Sequence, residues 1–225
     1  MILCHSGGQN VVVERGFLAP IGKFCPWLKR VSRIYCAQTY SMTLRVMQNK
    51  YTFPLIALHW LTVFLLLLAY GSILISDYAQ PGTWHGYAIA VTHVTAGATV
   101  LITMIMRLMI RLRKRSPAII PAPKRWHTAL SHLTHTCIYA LFISLPALAL
   151  TSHYFWGGEW SLYGLPMPVA AVPDTELSET LIHWHAVLAP LGYWLIGLHA
   201  LAALVHHYIF RDNTLIRMMP SRQKG

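Results

Sequence analysis

Four stretches of the chain contain no Asp, Glu, Lys or Arg: Tyr51–Ser76, Tyr78–Met106, Trp126–Gly158 and Thr180–Phe210. Each exceeds the about 20 residues that an apolar helix needs to cross the hydrocarbon core of a bilayer. The pattern predicts four transmembrane helices, over about 53–75, 87–111, 128–151 and 181–210, in one integral membrane domain spanning 47–225. Pro54 suits the first turn of the first helix, Pro146 predicts a kink in the third, and Ser116–Pro123, reading SPAIIPAP, predicts an extended connection.

Composition excludes the soluble alternative. Of 225 residues, 55% are hydrophobic and 11% charged, whereas about a quarter of a soluble domain is charged. The formal net charge of +11 would on its own suit nucleic acid, but its placement gives another meaning. The first and third inter-helix segments hold Asp77, Glu159, Asp174, Glu176 and Glu179 and no Lys or Arg. The second holds Arg107, Arg111, Arg113, Lys114, Arg115, Lys124 and Arg125, and the C-terminal tail holds Arg211, Arg217, Arg222 and Lys224. The positive-inside rule therefore puts both termini and the middle loop in the cytoplasm, with the basic residues facing lipid head groups. No nucleic-acid motif is present.

Residues 1–46 differ in kind, with scattered basic residues, Pro20, Pro26, and Cys4, Cys25 and Cys36. Their apolar runs, such as Val11–Val13, are too short for a signal-peptide core. Two expectations stand: a disordered tail, or an extension upstream of a natural start at Met47. The cysteine spacing suggests neither a disulfide framework nor a zinc site, and Cys137, in the third apolar segment, reads as a packing residue.

The chemistry must then lie in the helices, where 13 histidines stand out. An ionisable group within a membrane span is costly and marks a functional position by default. His59 falls near the inner start of the first helix, His93 near the outer start of the second, and His185 and His199 near the outer and inner parts of the fourth. The fourteen residues between His185 and His199 make about 21 Å of rise and nearly four turns, so both imidazoles project from one face at two depths. Depth matching pairs His93 with His185 and His59 with His199. Gly97, Gly192, Ala202 and Ala203 supply the small residues that a flat macrocycle between helices requires. Interhelical hydrogen bonding is the plain alternative for any one of these histidines. A zinc, copper or nickel carrier would be expected to add carboxylate or thiolate ligands, and the helix cores hold no acid and only Cys137. Haem, which accepts neutral imidazole on both axial faces, accounts better for a core without acids.

The segments HWLTVFLLLLAY (His59–Tyr70), THVTAGATVLITMIMRLMIRL (Thr92–Leu112), LSHLTHTCIYALFISLPALAL (Leu130–Leu150) and WHAVLAPLGYWLIGLHALAALVHHYIFRDNTLIRMMP (Trp184–Pro220) resemble the bacterial cytochrome b561 family, and within it the superoxide oxidase type. The resemblance covers about Met47 to Pro220 and includes MQNKY at the start. It implies an all-α integral membrane protein, a four-transmembrane-helix bundle binding two b-type haems. His59 with His199 would ligate the inner haem iron and His93 with His185 the outer. It further implies an oxidoreductase of the bacterial inner membrane, a superoxide:ubiquinone oxidoreductase. Such an enzyme takes electrons from superoxide at the outer face and passes them through both haems to ubiquinone near the cytoplasmic face, with no catalytic residue at iron.

On the inner side, His206 lies two turns past His199 on the same stripe and is the first residue expected to meet ubiquinone. Arg125, Thr128, Ser131 and His132 are further candidates, against plain roles for Arg125 as a lipid-phosphate anchor and Thr128 as a helix cap. Arg107 and Arg111 are expected either to pair with haem propionates or to mark the membrane boundary. On the outer side the five acids are a poor match for an anionic substrate. Only His85, His153 and His183 add partial positive charge, so Trp84, Trp156, Trp160 and Trp184 are the other donors available. That charge pattern keeps open a second function: a cytochrome b membrane anchor that relays electrons from a periplasmic redox partner to the quinone pool.

Overall fold

The computed structural model describes residues 2–6, 9–13, 50–78, 82–114 and 116–220, in two units, Met1–Asn49 and Lys50–Gly225. The first contains an antiparallel hairpin of β1 (Ile2–Ser6) and β2 (Gln9–Val13), with Ile2 opposite Val13 and Ser6 opposite Gln9. Val11–Val13 is the β-branched part of that hairpin. Expectations for 14–46 lie outside the described residues.

The second unit is built on four helices: α1 (Phe53–Leu74), α2 (Trp84–Arg113), α3 (Arg125–Trp156) and α4 (Thr175–Tyr208). All four are long and apolar enough to cross a membrane. Three begin before the sequence-based bounds because their starts are polar. Thr83 caps α2 through Gly86 N–H, and Asp174 caps α4 through Leu177 N–H at 2.9 Å. The structural α3 starts at Arg125, which places Thr128 inside the helix and removes its expected capping role. α3 ends at Gly157, whose φ of 78° is the left-handed cap geometry. A Cβ there would fall 2.4 Å from Pro173 Cγ, so this position excludes larger residues twice over. Helical backbone continues through Pro146 in α3 and Pro190 in α4. The segment through Ser116–Pro123 is non-helical, as its prolines require.

α1 packs on α2, α2 on α3 and α3 on α4, the order of an up-and-down bundle. Leu65, Ala69, Ala96, Val100, Met104, Leu141, Phe142 and Leu145 form its core. Large apolar side chains also cover the outside, among them Leu67 at 69% and Trp194 at 74% exposure, as a lipid-facing surface requires. α4 differs from its neighbours in that only Ser178 and Gly192 are buried along its 34 residues. The helix carrying His185 and His199 thus leaves space on its inward side.

Each end of the bundle is tied. At the acidic end, Ser152 Oγ donates to Ser178 O at 2.9 Å, and Ser178 Oγ to Ser152 O at 3.0 Å, joining α3 to α4. A short hairpin, β3 (Ser161–Leu162) and β4 (Leu165–Pro166), turns at Tyr163 and Gly164, both at positive φ. At the basic end the C-terminal segment closes over the helix ends. Trp60 Nε1 donates to Met218 O at 2.9 Å, Tyr51 N–H to Arg217 O at 3.3 Å, and Ile120 N–H to Asn213 Oδ1 at 3.0 Å. Buried Arg217 donates to Pro117 O and covers the Tyr51 ring. The start of α1, the middle loop and the tail therefore meet at one end, where the basic residues gather.

Candidate functional site

At the acidic end, the rings of His93 on α2 and His185 on α4 face each other with centres 6.2 Å apart and planes inclined by 85°. His93 Nδ1 lies 2.9 Å from Ala69 O and 3.3 Å from Ser72 Oγ, and His185 Nδ1 lies 2.8 Å from Leu145 O. A carbonyl only accepts, so each Nδ1 carries its hydrogen and each Nε2 keeps a free lone pair. Between them opens a cavity of about 390 Å³, walled by Ala69, Gly97, Ala98, Pro146, Ala149, Ala186 and Ala189 along with both histidines. A Cβ on Gly97 would meet nothing within 4 Å, because that glycine faces the cavity. Gly192 has the opposite role. It lies under Tyr70 and Phe142, and a Cβ there would fall 1.9 Å from Tyr70 Oη; it is a packing glycine rather than part of the cavity wall.

At the basic end, His59 on α1 and His199 on α4 have ring centres 6.4 Å apart and planes inclined by 68°. His135 on α3 lies 5.3 Å from His199, with its Nδ1 2.6 Å from Ser131 O. Arg107 reaches across from α2 and donates to His59 Nδ1 at 3.0 Å, while its own Nε is buried without a partner. Arg107 and Arg111 both lie over the Tyr139 ring, at 5.9 and 5.8 Å. The two pairs thus differ in preparation: carbonyls orient the acidic-end imidazoles, whereas a guanidinium holds His59 Nδ1.

These separations have a simple meaning. An imidazole nitrogen binds a metal at about 2 Å and lies about 1.2 Å from its own ring centre, so one metal atom between two facing rings sets their centres about 6.4 Å apart. Both pairs meet that spacing. Among the described residues no three His, Cys, Asp or Glu side chains are arranged to hold a metal ion, so a metal between either pair needs its other ligands from elsewhere.

Of the residues expected near ubiquinone, His206 is the most built-in. Its Nδ1 is 2.5 Å from Asp212 Oδ2, and its ring lies 5.5 Å from His127 and 5.2 Å from Phe210. Arg125, Thr128, Ser131 and His132 are exposed along the first turns of α3. Ser131 reaches only its own helix, 3.4 Å from His135 Nδ1, and His132 O accepts from Thr136. The sequence pointed to no role for His127 and Asp212, and for His135 only to that of an interfacial polar residue. The available signal for Asp212 was its isolation: all other acids beyond Glu14 belong to the acidic end. Burial acts to raise the Asp212 carboxyl, but hydrogen bonds from His206 and Thr214 outweigh it and hold the group below the usual carboxylate range. At the acidic end, His153 borders the cavity and stacks on Trp160 at 5.1 Å, while Trp84 covers His85 and Trp184 lies 6.0 Å from His183. Trp156 is 55% exposed.

Residues 50–221 match the family model described as prokaryotic cytochrome b561. The chain belongs to that family. It is 40% identical over 177 residues to a probable superoxide oxidase CybB of Yersinia pestis, covering 79% of this chain and 99% of that protein. It is 34% identical over 175 residues to cytochrome b561 homolog 1 of Escherichia coli strain K12, covering 78% of this chain and 99% of the relative. This cytochrome b561 is therefore an integral membrane electron-transfer protein, and its family implies b-type haem. The donor set fits the group. A haem would ask the protein for neutral imidazole donors alone, and each histidine pair could supply them. The small-residue walls with open space over Gly97 fit a flat macrocycle, and the unpartnered Arg107 Nε fits an anionic propionate.

Proposed function

We propose that this cytochrome b561 is a superoxide:ubiquinone oxidoreductase. It would hold one b haem between His93 and His185 and a second between His59 and His199. The observation that carries the reading is that both ring pairs, at opposite ends of the bundle, have the spacing of a single metal atom. A relative named as a probable superoxide oxidase at 40% identity supports the donor. When bound, such haems would supply one-electron carriage between the two faces.

The chain's own residues do the rest. Ala69 O and Leu145 O hold the acidic-end imidazoles in the ligating tautomer. Ligation through His59 Nε2 requires Arg107 to release Nδ1, and the guanidinium then has two unused donors for a propionate. The gathering of basic residues at one end of the bundle supports a cytoplasmic location for that end and for both termini, in a bacterial inner membrane. His206 and its neighbours at the basic end supply the protons: two superoxide ions, one ubiquinone and two protons give two dioxygen molecules and one ubiquinol.

The test is a pyridine haemochrome count on the purified protein followed by stopped-flow mixing with superoxide. About two b haems per chain and reduction by superoxide at near-diffusional rate are expected; no haem would sink the reading. The absence of Lys and Arg from the acidic end favours a second reading, in which a basic periplasmic redox protein is the donor. Haem reduction by such a protein and not by superoxide would select it.

A further inference from the structure

The contact between His206 and Asp212 has a construction that packing alone does not explain. Asp212 is 6% exposed and, among the described residues, the sole carboxylate at the basic end. Three bonds fix it. Its N–H donates to His206 O at 3.1 Å, its Oδ1 accepts from Thr214 N–H at 2.8 Å, and its Oδ2 takes His206 Nδ1 at 2.5 Å. Arg211, at a φ of 50°, makes the reversal that returns the chain onto its own helix end. The charged and titratable groups around the pair are few: His127 from α3 beside His206, and Arg217 from the tail acting on Asp212.

A carboxylate only accepts, so the hydrogen between the two residues lies on His206 Nδ1. The ring's second nitrogen then faces away from Asp212, and among the described residues it has no hydrogen-bond partner. The imidazole is 20% exposed at this point. A histidine held this way by a buried carboxylate can carry a proton on Nε2, give it up, and keep its orientation throughout, because Nδ1–H stays bonded.

We propose that Asp212 is a positioning residue for proton delivery to the quinone: it locks His206 so that Nε2 is the atom that protonates a reduced quinone carbonyl. The inference rests on the reading of the basic end as the quinone-reducing side. As the quinone takes an electron pair from the chain, its carbonyl oxygen takes the Nε2 proton. The neutral ring remains bound to Asp212 through Nδ1–H and regains its Nε2 proton from cytoplasmic water. The second proton is drawn the same way in a second turn.

The test uses the haem-loaded protein in detergent with Asp212→Asn, which keeps the side-chain volume, and Asp212→Glu, which keeps the charge. The chemically reduced protein is mixed with a short-chain ubiquinone, or with ferricyanide, which takes electrons without protons, across a pH series. With Asp212→Asn the ratio of quinone to ferricyanide rate should fall about 10- to 100-fold, the range for loss of a supporting partner. Asp212→Glu should recover part of the ratio. Independently of turnover, the rate at which diethyl pyrocarbonate modifies His206, read by peptide mass spectrometry, should change in Asp212→Asn, because the carboxylate no longer holds Nδ1. An unchanged ratio and modification rate would overturn the proposal, as would an equal loss of both rates. If the unsubstituted protein reduces ferricyanide but not ubiquinone, the quinone reading itself fails.

Discussion

Gly192→Ala adds a methyl group at the point where α4 meets α1. The new Cβ would fall 1.9 Å from Tyr70 Oη and 3.1 Å from Phe142 Cζ. Carbon–oxygen contact needs about 3.5 Å, so the tyrosine must withdraw by about 1.6 Å. Its hydroxyl donates to Ala189 O at 2.8 Å, and a withdrawal of that size breaks the bond, at a net loss of about 0.5–1.5 kcal/mol. Tyr70 is pinned from the other side by Tyr193, ring centres 4.5 Å apart, and by Phe142 at 6.4 Å. It therefore cannot move without overpacking that typically costs about 1–3 kcal/mol. The better helix propensity of alanine returns about 1 kcal/mol, leaving a net destabilisation of about 0.5–3.5 kcal/mol. For a chain of this size each kcal/mol lowers Tm by about 2–4 °C. Gly197→Ala is the control, because a Cβ there meets nothing within 4 Å, and it should leave Tm unchanged or slightly raised. Thermal unfolding of both variants in detergent decides the matter: a Gly192→Ala protein that melts with or above Gly197→Ala would refute the close approach of Tyr70.

Three further outcomes are expected. Gly97→Leu should leave folding intact, since its side chain enters the cavity, but should cut haem retained at the acidic end, measured as haem b per chain against unchanged circular dichroism; undiminished haem would place the macrocycle elsewhere. His185→Ala should remove the acidic-end haem and halve the haemochrome count while keeping the band of the other, and equal loss of both haems in a folded protein would refute two separate sites. Because the Asp212 carboxyl is held below its ordinary range, the stability it contributes is complete above the ordinary carboxylate value of about 3.9. It is lost as pH falls through the lower folded value. The Tm difference between the unsubstituted protein and Asp212→Asn should therefore be constant near neutral pH and close only in strong acid, and a gap that closes above pH about 5 would contradict the sign.

What could be read from the sequence follows from which distances a helix fixes. The charge-free spans set the four helices because the bilayer imposes a length, and the polar caps Thr83 and Asp174 extended α2 and α4 at their starts, where hydropathy carries no signal. His185 and His199 lie on one helix, so their separation was determined by rise per residue. Only the depth of His59 and His93 had to be matched to them, and the structure brings each pair to 6.2 and 6.4 Å. Contacts that depend on rotation between helices were not available in that way. Gly97 and Gly192 are the same residue in similar company, yet one opens on a cavity and the other receives a tyrosine from α1, a difference set by the azimuth of Tyr70 and by nothing along α4 itself. His127 reaches His206 only because α3 starts beside the end of α4. Asp212 reaches it only because Arg211 adopts a positive φ and turns the chain back. The metal-spaced pairs were thus legible as a periodicity, whereas the groups that would manage protons are assembled by helix rotation and by one reversal of the backbone. A lone acid six residues beyond a membrane-end histidine becomes informative once such a reversal is expected.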